Sequence, residues 1–141
     1  MTISRLFLDT NVVLDLLGER PPFYHTVAQL ASLADYGKVT LVVSSLSFAT
    51  VNYFLTKFEG TEIAREKLRK FRILSEVAAV DESAVDKALL SDFTDFEDAI
   101  QYYAALQSAC GLIITRNQKD FRKAQLPVMT AEEYLRTLVS S

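Results

Sequence analysis

Apolar and polar positions alternate between two rhythms along this chain. Ile3–Leu8 is a short, largely apolar run suited to a strand buried on both faces. Asp9-Thr10-Asn11 ends it, and Val12-Val13-Leu14 with Leu16-Leu17 begins a helix that Gly18 stops. Pro21-Pro22 is expected to start a second helix, carried by Phe23, Val27, Leu30, Ala31 and Ala34 as far as Gly37. Val39–Val43 is a β-branched strand, after which Ser44-Ser45 leads into a helix through Phe48, Val51, Asn52 and Leu55 that Gly60 breaks. Thr61–Arg72 reads as a charged amphipathic helix, Val77–Val80 as a weak third strand and Ser83–Leu90 as a further helix. Thr94-Asp95-Phe96-Glu97 has the form of a capping box, opening a helix through Ala99, Ile100, Tyr103 and Leu106 to Gly111. Leu112–Ile114 is a buried-type strand ending at Thr115. A helical turn near Lys119–Phe121 and a last strand near Pro127–Met129 follow it. Thr130-Ala131-Glu132-Glu133 is a second capping box before the C-terminal helix.

Strands alternating with helices predict an α/β sandwich around a mostly parallel sheet, one domain over residues 1–141. Sites in such sheets gather beyond the carboxyl ends of the strands. Asp9 follows the first strand, Ser44-Ser45 the second and Thr115-Arg116-Asn117 the fourth, and Asp98 lies in the first turn of a helix that would meet them.

Composition narrows the chemistry. With one histidine (His25) and one cysteine (Cys110), neither a zinc cluster nor paired-histidine catalysis fits, which leaves carboxylates, amides and hydroxyls. Cys110 is expected to be a small core residue and His25 a surface residue. No apolar run approaches the roughly 20 residues needed to cross a bilayer, and Arg5 and Asp9 interrupt any signal-like stretch, so no membrane association and a cytoplasmic location are expected. The net charge of −3 lacks the basic excess usual in nucleic-acid binders, but is compatible with an acidic site and a locally basic rim. Two basic segments are available: Lys57, Arg65, Lys67, Arg69, Lys70 and Arg72, a run of the kind solvated helix faces often carry, and Arg116, Lys119, Arg122 and Lys123, next to the suspected site. Tyr53 and Tyr102 are candidates for stacking on bases, with Tyr103 assigned to the core.

Each acidic candidate also has a plain structural explanation. Asp9 could cap the following helix. Asp98 in a first turn is favoured by the helix dipole, by roughly 0.3–1 kcal/mol. Yet Asp95, Asp98 and Tyr102 share one side of their helix, and neighbouring aspartates repel unless a cation lies between them. Glu97 is set aside because the capping box already employs it. Asn117 could serve a turn, and Asp120 could pair with Lys119 or Lys123.

Taken together, Phe7-Leu8-Asp9-Thr10-Asn11-Val12-Val13-Leu14-Asp15, Asp98-Ala99-Ile100-Gln101 and Ile114-Thr115-Arg116-Asn117-Gln118-Lys119-Asp120-Phe121 resemble, in order and spacing, the successive motifs of PIN domains, many of which are VapC-type toxins of bacterial toxin–antitoxin pairs. The resemblance implies a three-layer α/β/α sandwich and a ribonuclease dependent on Mg2+ or Mn2+. Asp9, Asp98 and Asp120 would be its catalytic and metal-binding carboxylates. Thr10, Asn11, Asp95, Thr115 and Asn117 would be supporting polar residues, and Arg116 and Lys119 would contact RNA. It also implies an RNA substrate, an antitoxin partner and a homodimer. Asn52 stands where the family usually has glutamate; a branch with Asp-Phe-Glu-Asp before the long helix is similar in placing asparagine there, and the exchange removes one negative charge that a second metal would use.

Three alternatives compete. A phosphatase of the haloacid-dehalogenase type would use Asp9 as nucleophile, but its second acidic position is Asn11 here. A receiver-like signalling domain would place its acidic pair differently. A degenerate PIN domain that binds RNA or protein without turnover is kept open by Asn52.

Overall fold

The computed structural model describes residues 3–139. Their elements run β1 (Ser4–Leu8), α1 (Thr10–Leu17), α2 (Tyr24–Asp35), β2 (Val39–Ser44), α3 (Ser45–Glu59), α4 (Thr61–Leu74), β3 (Ser75–Ala78), α5 (Glu82–Leu89), α6 (Phe96–Gln107), β4 (Leu112–Ile114), a 3-10 turn (Gln118–Phe121), β5 (Val128–Met129) and α7 (Ala131–Val139). The sheet has five strands in the order β3-β2-β1-β4-β5, every neighbouring pair parallel. β1 lies at its centre, Phe7 pairing with Val42 on one side and Ile113 on the other.

Side chains alternate across each strand, and this sorts the core into two layers. Leu6, Leu8, Leu41, Val43, Leu112 and Ile114 face one side. There they meet Val12 and Val13 of α1, Val27 and Leu30 of α2, Val51 and Leu55 of α3, Phe71 of α4 and Tyr134 of α7. Phe7, Val42 and Ile113 face the other side, against Tyr102, Ala104 and Ala105 of α6 and Phe121. Helices thus cover both faces, which is why the central strands read as continuous apolar runs. The result is the three-layer α/β/α sandwich expected.

Several element boundaries differ from expectation. α2 starts at Tyr24, not at Pro21-Pro22, because the Arg20 carbonyl accepts from both Phe23 N (3.1 Å) and Tyr24 N (2.9 Å) and holds the prolines in a turn. β3 is Ser75–Ala78 instead of Val77–Val80: the Ser75 hydroxyl donates to Phe71 O at 2.9 Å, so α4 passes directly into the strand. The Thr94 capping box is not formed. Asp95 caps α6, its Oδ1 accepting from the backbone N–H of Asp98 at 3.0 Å, which shifts the helix start by one residue. The second box forms as expected: Glu133 N–H donates to Thr130 Oγ1 (3.1 Å) and Thr130 N–H to Glu133 Oε1 (2.9 Å). Cys110 is buried and His25 exposed, as anticipated. Tyr102, a candidate for base stacking, is instead in the core at 5% exposure, its hydroxyl accepting from Gln125 N at 3.1 Å. Among the described residues no helix is long and apolar enough to cross a membrane.

Candidate active site at the carboxyl edge of the sheet

Asp9 leaves β1 at its carboxyl end and caps α1. Its backbone N–H is still in the sheet, donating to Ile114 O at 3.0 Å, so the residue is anchored before its side chain does anything. Oδ1 accepts from the Thr10 N–H (2.8 Å) and Oδ2 from the Thr115 hydroxyl (2.8 Å), with the Asn11 amide further off at 3.4 Å. Thr115 Oγ1 in turn accepts from Asn117 N–H at 3.0 Å. Asp9 is 6% exposed. Burial raises its pKa, the Thr115 and Thr10 hydrogen bonds oppose that rise, and the charge of Asp120 adds to it.

Asp98 enters from α6. Burial and the neighbouring Asp95, Asp9, Asp120 and Glu97 charges push its pKa from 3.8 up to about 7. Asp98 and Asp120 line one cleft of about 330 Å³ together with Asp95, Lys119, Arg122 and Lys123. Asp9, Asp98 and Asp120 therefore share one electrostatic field, although their positions span more than a hundred residues of chain. Asp120 is exposed, on the 3-10 turn. Glu97 does not have the capping role that its place in the Thr94 box suggests. Its pKa is raised by partial burial and by the charges of Asp95 and Asp9, so it belongs to the same acidic group.

Behind Asp9 lies a buried hydroxyl–amide network. Gln101 Nε2 donates to Ser47 Oγ (2.9 Å) and Thr10 Oγ1 (3.2 Å), the Thr10 and Ser47 hydroxyls are 2.6 Å apart, and Ser44 Oγ donates to Ser47 Oγ at 3.2 Å. Gln101, Ser44 and Ser47 are wholly buried. The sequence places Ser44 at the carboxyl end of the second strand and Gln101 within the Asp98–Gln101 motif but assigns neither a role, and it passes over Ser47; the signal available for them is polar residues at positions whose neighbours are apolar.

Two candidates make no hydrogen bond to this arrangement, although the positive charge of Arg116 still acts on Asp9. Arg116 does not extend freely towards a ligand. Its Nε and Nη2 hold the wholly buried Asp15 at 2.6 and 3.2 Å, and its guanidinium carbon lies 4.1 Å from the Phe23 ring centroid. Arg20 Nε joins the same carboxylate at 3.3 Å. Asn52 is not hydrogen-bonded to the acidic group; its Oδ1 is buried without a partner, as is Oδ1 of Asn11.

Among the described residues, no three Asp, Glu, His or Cys side chains stand close enough to hold a metal ion between them. The donor set nevertheless suits a hard divalent cation. Every candidate donor is oxygen, one carboxylate is rigidly held, and the others sit in mutual repulsion that a cation would relieve. Magnesium commonly needs only one or two protein carboxylates, with waters and substrate phosphate completing its shell.

A parallel sheet carrying clustered carboxylates at its carboxyl edge is the architecture of a PIN domain. The family model described as PIN domain matches residues 5–119, and the chain belongs to that family. It is 30% identical over 139 residues to Ribonuclease VapC1 of Aquifex aeolicus, 95% of each chain being covered. Its fold is shared with VapBC2 from Rickettsia felis bound to a DNA fragment from their promoter (TM-score 0.67, 19% identity, 89% of this chain and 96% of that one). It is also shared with VapC20 from Mycobacterium tuberculosis, described as a sarcin-ricin loop cleaving toxin (TM-score 0.60, 15% identity, 77% and 86% covered).

Proposed function

We propose that this chain is a divalent-metal-dependent endoribonuclease, the toxin of a bacterial toxin–antitoxin pair, acting as a single PIN-like domain in the cytoplasm. The supporting observation is the common field of Asp9, Asp98 and Asp120 at the carboxyl edge of the sheet. Asp9 and Asp98 hold Mg2+ or Mn2+, and Asp120 completes the site or orients the attacking water. A cation held there would supply positive charge beside the scissile phosphate and ease deprotonation of the water. Thr10 and Thr115 fix both oxygens of Asp9, and Gln101 fixes Thr10 from behind. Lys119 and Lys123, on the rim of the cleft, meet the RNA phosphates. Asn52 adds no charge where the family usually has glutamate, so a second cation would need oxygens from the substrate phosphate. An antitoxin is an expected protein partner, in line with the VapBC neighbour that shares the fold, and a second copy of the chain is expected from the family resemblance alone.

The test is cleavage of structured RNA with Mn2+ against the same reaction with chelator. Asp9→Asn and Asp98→Asn are expected to abolish cleavage with the circular dichroism spectrum retained, and Asp120→Asn to reduce it less. If both ligand variants cleave as fast as the parent, the assignment of those carboxylates is wrong. A parent that binds RNA without cleaving it, with binding that survives Asp9→Asn, identifies a binding module instead.

A further inference from the structure

A cleft of about 460 Å³ opens between α3, α4 and the edge strand β3. Phe48, Leu68 and Val77 form an apolar floor, and Arg65, Arg69 and Arg72 stand around it. Phe48 is braced against Phe71, ring centroids 6.0 Å apart, so its ring is held in place. The arginines follow i, i+4, i+7 spacing and form one row along α4, spanning about 10 Å from first to last. Arg72 Nη1 donates to Ser75 O at 2.8 Å and is oriented by it; Arg69 has only an exposed contact with Glu66 at 3.3 Å, which leaves its charge largely uncompensated. Arg65 is exposed and has no ion pair among the described residues. By contrast Lys67, on the other side of the helix, is tied to Leu17 O and Glu59.

We propose that this cleft is a second nucleotide subsite, which takes an unpaired RNA base on its apolar floor and the flanking phosphates on Arg65 and Arg69. The inference rests on the ribonuclease reading and adds to it a preference for single-stranded substrate running along α4. Two observations favour RNA over other occupants. The cleft opens at the same carboxyl edge of the sheet as the candidate active site: Ser45, which lines it, directly follows β2, the strand beside β1, as Asp9 follows β1. The surface is also a poor match for a second copy of the chain. α4 carries five basic and two acidic residues, and a two-fold contact would set this basic row against itself. A flat base with a phosphate on each side matches an apolar floor between guanidinium groups.

The experiment measures binding of a short, labelled single-stranded RNA by fluorescence anisotropy over a range of salt. It uses the full chain carrying Asp9→Asn so that the RNA is not consumed. Adding Arg65→Ala and Arg69→Ala, both on the surface, is expected to weaken binding about tenfold and to reduce the salt slope by about 1.4, roughly 0.7 for each phosphate no longer neutralised. Inorganic polyphosphate is expected to compete less well than RNA of equal charge, because it offers nothing to the apolar floor. An unchanged slope, or polyphosphate competing equally, overturns the proposal. So does a change in sedimentation with RNA binding unaltered, which assigns the cleft to a second copy. Cleavage by the parent with an unchanged slope removes the subsite alone. Absence of cleavage with the predicted slope change removes the ribonuclease reading and leaves the RNA cleft standing.

Discussion

Asp98→Asn should make the metal-free protein more stable at neutral and alkaline pH. In the folded chain the Asp98 carboxyl has its pKa pushed up to about 7 from 3.8, first by burial and then by Asp95, Asp9, Asp120 and Glu97. Below pH 4 the group is protonated whether the chain is folded or not, and it contributes nothing to the pH dependence of stability. Between pH 4 and about 7 the unfolded chain ionises while the folded chain keeps the proton, so stability falls as pH rises. Above about 7 the loss is complete and constant. At about 1.4 kcal/mol per pH unit, the difference between the two values sets a ceiling of roughly 4 kcal/mol. The side chain is only partly buried, and solvent screening reduces this to about 1–2 kcal/mol. Asparagine also forgoes the favourable charge–dipole interaction at the start of α6, about 0.3–1 kcal/mol. The net gain at pH 8 is therefore about 1 kcal/mol, or roughly 3–5 °C in Tm for a chain of this length. Thermal melts followed by circular dichroism in chelator at pH 5 and pH 8 measure it directly, with the advantage of the variant growing as pH rises. On the proposed ligation by Asp98, Mn2+ should reverse the order, because a ligand at 100 times its Kd stabilises the folded parent by about 2.7 kcal/mol and a variant lacking the carboxylate would bind it poorly. A variant less stable than the parent at pH 8 in chelator would refute the reasoning, since it would mean that the carboxylate is stabilised and not opposed by its neighbours.

Other outcomes follow from the same geometry. Arg116→Ala leaves the wholly buried Asp15 with only the more exposed Arg20, so it should cost about 3 kcal/mol in urea denaturation, clearly more than Arg20→Ala. At pH 5, where Asp98 is protonated and the Asp95 charge does not oppose it, Asp95→Ala removes the cap of α6 and should cost about 1 kcal/mol, while Thr94→Ala and Glu97→Gln should change stability by a few tenths at most; the reverse order would restore the one-residue-earlier cap. Gln101→Leu should lower the cleavage rate with little change in KM, since Gln101 holds Thr10 and Ser47 from inside the core and lines no part of the cleft; an altered KM with an unaltered rate would contradict this positioning role.

What can be read along the chain is what neighbours along the chain decide. Alternating apolar runs and helical repeats define the order of elements and the parallel sheet, because a strand buried on both faces has no polar side to show. The Thr130–Glu133 box is legible for the same reason: both partners lie within one turn. The start of α6 is not, since Thr94 and Asp95 are both good caps; the folded chain uses Asp95, with Ala99 and Ile100 packed in one cluster with Ala88 of α5. Asp9 is recognisable by its position after β1, but the company it keeps is decided only by folding. Thr115, which holds its Oδ2, is 106 positions away, and Gln101 reaches Thr10 across 91. Arg116 looks free beside the site because its partner, Asp15, is 101 residues earlier and buried from view. Hydrogen bonds and charge pairs act over a few ångströms of space and carry no mark of sequence distance. The tertiary structure alone determines which polar residues hold one another and which are left to meet a ligand.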